Sequence, residues 1–334
     1  VNYTLCIPTS IIAPSNAKNL QQATAILYQI AKAASIYNVA EIVIMDTLKE
    51  IEQPIDISEV DSSTGKKKIK FDDIEAKESK NDQVKNEVTE QAMIIASILQ
   101  YFVTPPYLTK TIFKQRFFHN FQYAKNFPTL TTLPFMNEKV DSKYREGLTV
   151  QMGKIHKPQG LAKKKSQPLR NTKYVNIGYD KYLELSGQSV PTNVRVTVDT
   201  ESKKVVSPLE AYNNQVGAKS SYGYHVRIAK SFTAVFTESS YPEGYSQSIW
   251  INSADYFHNS DVTLPKFKIS KSNDLNLLLV VSKWSDIEFS FNQDKKNLDG
   301  VESAREFFDG EIEIPSGTRI EDGAMIALTK VSGI

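Results

Sequence analysis

The 334 residues are too many for one small core and suggest two domains. Forty Lys and Arg against 38 Asp and Glu leave a formal charge of +2, so any nucleic-acid contact must come from local clustering rather than a uniform basic field. With 40% hydrophobic and 10% aromatic residues the chain can bury a real core, its sole cysteine, Cys6, excludes an internal disulfide or a cysteine-built zinc site, and no apolar run approaches the ~18 residues that span a bilayer.

Tyr3–Ile7 runs into Pro8 and reads as a first strand, with Ser15 and Asn16 placed to cap a following helix. Leu20, Ala23, Leu27, Ile30, Ala34 and Tyr37 then recur at three- and four-residue steps, one apolar helical face. Glu41–Asp46 is a short β-rich run suited to a strand buried on both sides, so the chain opens strand, helix, strand, the beginning of an α/β sheet. Residues 49–88 change character: charges dominate, with the run Lys66-Lys67-Lys68-Ile69-Lys70 among many acids, and they read as a polar surface insertion. A helix near Thr89–Phe102 carries the stripe Ala92, Ile95, Ile98, Leu99, Phe102 and stops at Thr104-Pro105-Pro106.

Past Met136 the pattern shifts to short runs bounded by turn residues: Leu148–Met152, Tyr174–Ile177, Val194–Val198 and Tyr224–Ala229. These read as a small β-barrel or sandwich inserted into the α/β unit. Within it, residues 151–173 carry Lys154, Lys157, Lys163, Lys164, Lys165, Arg170 and Lys173 with no acid, a candidate phosphate clamp for RNA whose bland alternative is a solvated basic loop. From Phe232 the α/β pattern returns. Phe232–Phe236, Gln247–Ile251 and Asn276–Val281 read as strands, Gly300–Phe308 as a helix, and Glu311–Ile314 and Ala324–Leu328 as further strand or helix-start segments. The domain division expected is residues 1–136 plus 231–334 as one α/β unit and 137–230 as the inserted β domain.

Common catalytic signatures fail on spacing. No two of the fourteen glycines stand two, four or five residues apart, which removes the dinucleotide fingerprint, the phosphate-binding P-loop and the serine nucleophile elbow. The four histidines are scattered and none begins a metalloprotease motif. The start shows no charged segment followed by an apolar one, and the expectation is a soluble intracellular protein, cytoplasmic or nuclear, without a membrane partner.

Several stretches, taken in order, resemble the eukaryotic and archaeal branch of the SPOUT RNA methyltransferases that carries an inserted OB-like domain. They are Tyr3-Thr4-Leu5 with Pro8-Thr9-Ser10-Ile11, Gln29–Ala34 leading to Glu41-Ile42-Val43, Ile98–Tyr101 followed by Pro106-Tyr107-Leu108, Phe121–Ala124 and Leu133-Pro134. Arg145-Glu146-Gly147, Val175–Gly178, Arg195–Val198, Gly223–Arg227 and Gly244-Tyr245 complete the set. The resemblance implies a knotted parallel sheet with helices on both faces, interrupted by a small OB-like barrel, with the C-terminal segment threaded as a trefoil knot. It also implies dimerisation, with an identical or a related chain, S-adenosylmethionine as methyl donor, and RNA as acceptor. By the same resemblance that RNA is pre-ribosomal large-subunit RNA handled in the nucleus, at the nucleolus, in the manner of a fungal ribosome-assembly member.

The cofactor loops depart from the family. Where it has a glycine-containing turn of the type G-T-S-x-R-G, this chain reads Trp250–Tyr256; where it has a glycine pair, this chain reads Val280–Trp284; the last loop keeps its length as Ser316–Ala324 but loses both arginines from their positions. The resemblance places Asn252, Ser253, Ser282, Lys283, Gly317, Thr318 and Ile320 at the cofactor and identifies no catalytic base. Both tryptophans, Trp250 and Trp284, fall at or beside positions expected to be small. Either they pack beneath the loops, or their indoles fill the adenosine space and the chain is a catalytically silent RNA-binding assembly factor, paired with an active relative.

Overall fold

The computed structural model describes residues 1–47, 88–136, 143–151, 171–179, 181–212, 223–257, 262–268, 275–298 and 300–333. The polar insertion, with its Lys66–Lys70 run, lies outside the described residues, as do Lys154, Lys157, Lys163, Lys164, Lys165 and Arg170.

In chain order, β1 (Asn2–Pro8), α1 (Leu20–Ile36), β2 (Glu41–Met45), α2 (Glu90–Phe102) and the single turn α3 (Thr109–Ile112) come first. Seven short strands follow: β3 (Tyr144–Thr149), β4 (Asn171–Thr172), β5 (Tyr174–Asn176), β6 (Tyr182–Glu184), β7 (Val190–Pro191), β8 (Arg195–Asp199) and β9 (Lys204–Val206). Then come α4 (Pro208–Tyr212), β10 (His225–Ala229), α5 (Phe232–Thr237), β11 (Gln247–Asn252), β12 (Asn276–Ser282), α6 (Trp284–Asp294), β13 (Gly310–Glu311) and α7 (Ile320–Ser332).

Six strands form a parallel sheet in the order β10-β2-β1-β12-β11-β13. A parallel sheet needs both faces covered, and the strand residues alternate to supply that. Leu5, Ile7, Ile42, Ile44, Ile249, Ile251, Leu277, Leu279 and Val281 pack with α1, α2 and α7. Cys6, Val43, Met45, Trp250, Leu278 and Val280 point the other way, against α5 and α6. The helices start where short polar side chains satisfy orphan N–H groups: Asn19 accepts from Gln22 N at 2.9 Å and Thr89 from Ala92 N at 3.2 Å.

Several segments differ from the sequence expectation. The cap of α1 is Asn19; Asn16 instead donates to the Ser10 carbonyl at 2.8 Å, closing the loop after β1. Phe232–Phe236 is helical, because Ser231 caps it and Phe232 packs on Phe291 and Phe307 across the sheet's covering layer. Residues 300–308 hold only one 3-10 turn, Ala304–Phe307, closed by a Ser303–Glu306 capping box. Ala324–Leu328 lies inside α7. The strand expected at Tyr224–Ala229 pairs with β2, so the chain rejoins the parallel sheet by His225 rather than after residue 230.

The remaining strands make a five-stranded antiparallel sheet, β6-β5-β3-β8-β9, with β4 and β7 as a separate pair, around the small core Val175, Leu185, Val196 and Val198. It holds a buried ion pair whose arginine also fastens it to the α/β unit. Arg195 Nε donates to Glu146 Oε2 at 3.2 Å, and Arg195 Nη1 donates to the carbonyl of Val103, the residue that ends α2, at 2.8 Å. Thr197 and Tyr212 hydroxyls donate to Glu146 Oε1 at 2.6 and 3.2 Å. Burial pushes the Glu146 carboxyl up, against the pull of Arg195 and these donors. Arg195→Ala would leave a buried carboxylate without its cation and should lower unfolding stability by about 3–5 kcal/mol in urea titration, with Glu146→Gln added to it recovering part of the loss.

Candidate functional site

In open parallel sheets ligands bind outside the carboxyl ends of the strands, where neighbouring strands send their following helices to opposite faces. One such point lies between β1 and β12. The chain leaves β1 for α1 on one face and leaves β12 for α6 on the other. A cleft of about 570 Å³ opens there, walled by the loop after β1 (Ser10, Ala13, Ser15, Asn16), the loop after β11 (Ala254, Asp255, Tyr256, Phe257) and the start of α6 (Lys283, Trp284, Ser285, Glu288).

The walls are tied together by polar contacts. Ser10 Oγ donates to Asp286 Oδ2 at 2.5 Å, and Lys283 Nζ lies 3.7 Å from Asp286 Oδ1, joining the loop after β1 to the first turn of α6. Ala254 N donates to Thr318 O at 2.7 Å, fixing the loop after β11 to the loop before α7. Both loops need left-handed backbone there: Ala254 has φ +63° and Gly317 φ +72°. Such strain in a non-glycine residue persists only where the surroundings over-determine it. Arg319 Nε donates to Glu321 Oε1 at 2.5 Å and its Nη2 to Asn16 O at 3.3 Å; the Glu321 hydrogen bond holds the guanidinium pKa above its ordinary value.

Of the residues the sequence placed at a cofactor, Lys283 lines this cleft and the others lie behind its walls or on the neighbouring loop. Asn252 and Ser282 are register partners at the ends of β11 and β12, and Ser253 follows directly. Among the described residues Asn252 Oδ1, Ser253 Oγ and Ser282 Oγ are buried without a hydrogen-bond partner, which is costly in a folded interior and marks a place prepared for other groups. Lys283 lines the cleft; Gly317 and Thr318 form the loop that holds Ala254; Ile320 is buried at the start of α7 and serves the core. Lys173, the described member of the basic set, is exposed between β4 and β5. Sequence reading missed Ser10, Asn16, Asp255, Tyr256, Phe257, Ser285 and Glu288, most of them on loops whose approach depends on which strands are neighbours.

The indoles do not fill this space. Trp250 is 1% exposed, lies in the core beneath the sheet and donates from Nε1 to Ser282 O at 3.0 Å, bracing the strand end. Trp284 stacks edge-on to it at 5.0 Å between centroids and forms one wall of the cleft. Removing Trp250 would therefore open a core cavity rather than a ligand pocket.

Compared with known proteins, residues 2–331 match the family described as "Putative RNA methyltransferase". The chain belongs to this SPOUT RNA methyltransferase family. It is 38% identical over 338 residues to the Saccharomyces cerevisiae protein named "Putative methyltransferase YMR310C", covering 100% of this chain and 94% of that one. A second yeast protein, "Putative methyltransferase YGR283C", is 33% identical over 98% of this chain and 87% of its own length. The human 28S rRNA (uridine-N(3))-methyltransferase is 28% identical over 80% of this chain and 62% of its own.

Membership implies S-adenosylmethionine as methyl donor, and the cleft suits it chemically. That molecule carries a sulfonium, an ammonium and a carboxylate; Asp255, Glu288 and Lys283 offer two negative charges and one positive among the lining residues. The packing behind the cleft leaves no slack. A Cβ on Gly323 of α7 would strike Ser253 Oγ and come 3.0 Å from Ile314 Cδ1. Gly323→Ala should displace the Ser253 loop and lower thermal stability by about 1–3 kcal/mol, read in melting curves.

Proposed function

We propose that this chain transfers a methyl group from S-adenosylmethionine to a base nitrogen of ribosomal RNA, the uridine N3 being favoured by the activity for which the human relative is named. The observation that carries the reading is the open cleft at the β1/β12 switch point, backed by three unpartnered buried oxygens at the strand ends. When bound, the donor supplies an electrophilic methyl on a sulfonium. What this chain's residues supply is positioning, which accounts for much of the gain in such a transfer. Lys283 takes the donor's carboxylate, being the one cation among the described lining residues, while Asp255 and Glu288 face its positive groups. Asn252, Ser253 and Ser282, buried at the strand ends behind the lining, hold unused hydrogen-bonding capacity next in sequence to the lining residues Ala254 and Lys283.

On the same reading the C-terminal chain is threaded as a trefoil knot, the antiparallel module is the OB-like insertion, and a second copy or a related chain docks on the knot. The work is done on pre-ribosomal large-subunit RNA in the nucleolus. Family membership and the ribosomal-RNA relatives support this, as does the parallel sheet covered by helices on both faces.

A second reading, a silent assembly factor that keeps the fold and the RNA, is favoured by one observation. Arg319, the arginine of the last loop, is engaged with Glu321 and the Asn16 carbonyl rather than lining the cleft. Calorimetry with S-adenosylmethionine and methyl mapping of large-subunit RNA after deletion separate the two. Micromolar binding and a lost uridine methyl mark are expected; RNA crosslinks without a lost mark favour the silent factor. Lys283→Ala should weaken donor binding about 10- to 100-fold with the fold intact by circular dichroism. Reversing the charge of Lys163, Lys164 and Lys165 together should weaken RNA binding across sequences and flatten its salt dependence, measured by anisotropy at several salt concentrations.

A further inference from the structure

The connection between β5 and β6 has a construction that the fold does not require. Gly178 and Tyr179 both take left-handed backbone, at φ +86° and +52°. Glycine suits the first: a Cβ there would come 2.5 Å from Tyr107 Cδ2. Tyrosine does not suit the second, since a bulky residue at positive φ is strained, and its side chain is 62% exposed, so core burial does not offset that strain.

The tip is nonetheless rigidly held. Gly178 N donates to Asn176 Oδ1 at 2.8 Å, Lys181 N to Gly178 O at 3.0 Å, and Arg145 Nε to Ile177 O at 2.9 Å. The Arg145 guanidinium also sits 4.2 Å over the Tyr107 ring and 5.6 Å over the Tyr179 ring, the two rings standing 6.0 Å apart and tilted by 34°. In the sequence Asp180 comes next, then exposed Lys181 and Tyr182, 43% exposed. The setting is cationic. Among the described residues of 143–206 there are seven Lys and Arg against four Asp and Glu, although the whole chain carries only +2.

We propose that this hairpin tip is a stacking platform for an unpaired RNA nucleotide, with Tyr179 as the ring that meets the base and Arg145 as the cation behind it. The proposal rests on the RNA-binding reading above and names the feature of RNA that is gripped. A flat ring held out on strained backbone and backed by a guanidinium matches how unstacked bases are taken up, and stacking tolerates any base because each has a π face. Exposed Lys181 supplies a phosphate contact, which duplex and single strand share; the ring adds what only a splayed base can use.

The test is fluorescence anisotropy on the full chain with a labelled twelve-nucleotide single-stranded RNA and with the duplex of the same sequence. Tyr179→Ala should weaken single-strand binding about 5- to 100-fold and leave duplex binding within about twofold, while Tyr179→Phe keeps wild-type affinity. Tyr179→Asn should lose the same affinity yet melt at or above the wild-type temperature, because asparagine accepts this backbone; a merely structural tyrosine would lower it. Wild type that binds the single strand no better than Tyr179→Ala does overturns the platform alone. Wild type that binds neither RNA overturns the RNA-binding reading with it. Unchanged RNA affinity in Tyr179→Ala, together with lost binding to a polyglutamate peptide, overturns it in favour of an acidic protein partner.

Discussion

The strands of a parallel sheet present side chains to both faces, and neither face can be left wet. In this chain that constraint sets nearly everything else. β1 and β12 pair over five residues although they lie some 270 positions apart in sequence, and both are buried along nearly their whole length. The helices that follow them cover opposite faces, so the two connections diverge above the strand ends and leave a crevice among the described residues. The cleft is thus a consequence of how the sheet is covered, and the residues around it are free to specialise in chemistry.

That specialisation shows in how differently polar groups are treated on the two sides of the strand ends. Below, the Trp250 indole N–H finds the Ser282 carbonyl, and the two tryptophans pack edge to face within a core closed by Phe308. At the ends themselves, Asn252, Ser253 and Ser282 keep buried oxygens without partners. A buried hydroxyl that forgoes a hydrogen bond costs on the order of 1–3 kcal/mol, and alanine would fit at either serine without that cost. The Trp250 indole braces one of these strand ends through its bond to the Ser282 carbonyl. Bulky residues where the family has small ones therefore change the support of the site more than its volume.

Much of the α/β unit was legible because its signals are local. The apolar runs at Tyr3–Ile7, Glu41–Asp46 and Asn276–Val281 are strands, and the stripes of α1 and α2 are helices, since periodicity survives wherever one face is buried. Phe232–Phe236 reads as a strand because five residues hold too few turns to show a helical period, while its aromatic and β-branched composition mimics a strand; Ser231 and the aromatic packing decide the outcome. At the site, the loops after β11 and β12 were reached through family likeness. The loop after β1 was read only as a helix entry, and its role at the cleft follows from strand adjacency, which no local pattern encodes. The three-chain network of Glu146, Arg195 and Val103 was invisible for the same reason.

That network bears on how a basic β-module can serve a cleft on another sheet. Positioning catalysis fails if the gripping surface drifts relative to the reacting atoms, since an error of about 1 Å is already costly. The antiparallel sheet is anchored at two points on the same stretch of chain: Arg195 holds the carbonyl that ends α2, and Tyr107, four residues on, accepts the Glu146 N–H at 3.2 Å. The helix α2 is in turn fixed to the strand side by Tyr224, whose hydroxyl donates to Leu99 O at 2.8 Å just ahead of β10. Tyr107 and Arg145 thus belong both to this mount and to the hairpin tip that carries Tyr179. A nucleotide held at that tip is tied through short, buried, hydrogen-bonded links to the parallel sheet, so the strain stored at Tyr179 is borne by a rigid frame rather than by a swinging loop.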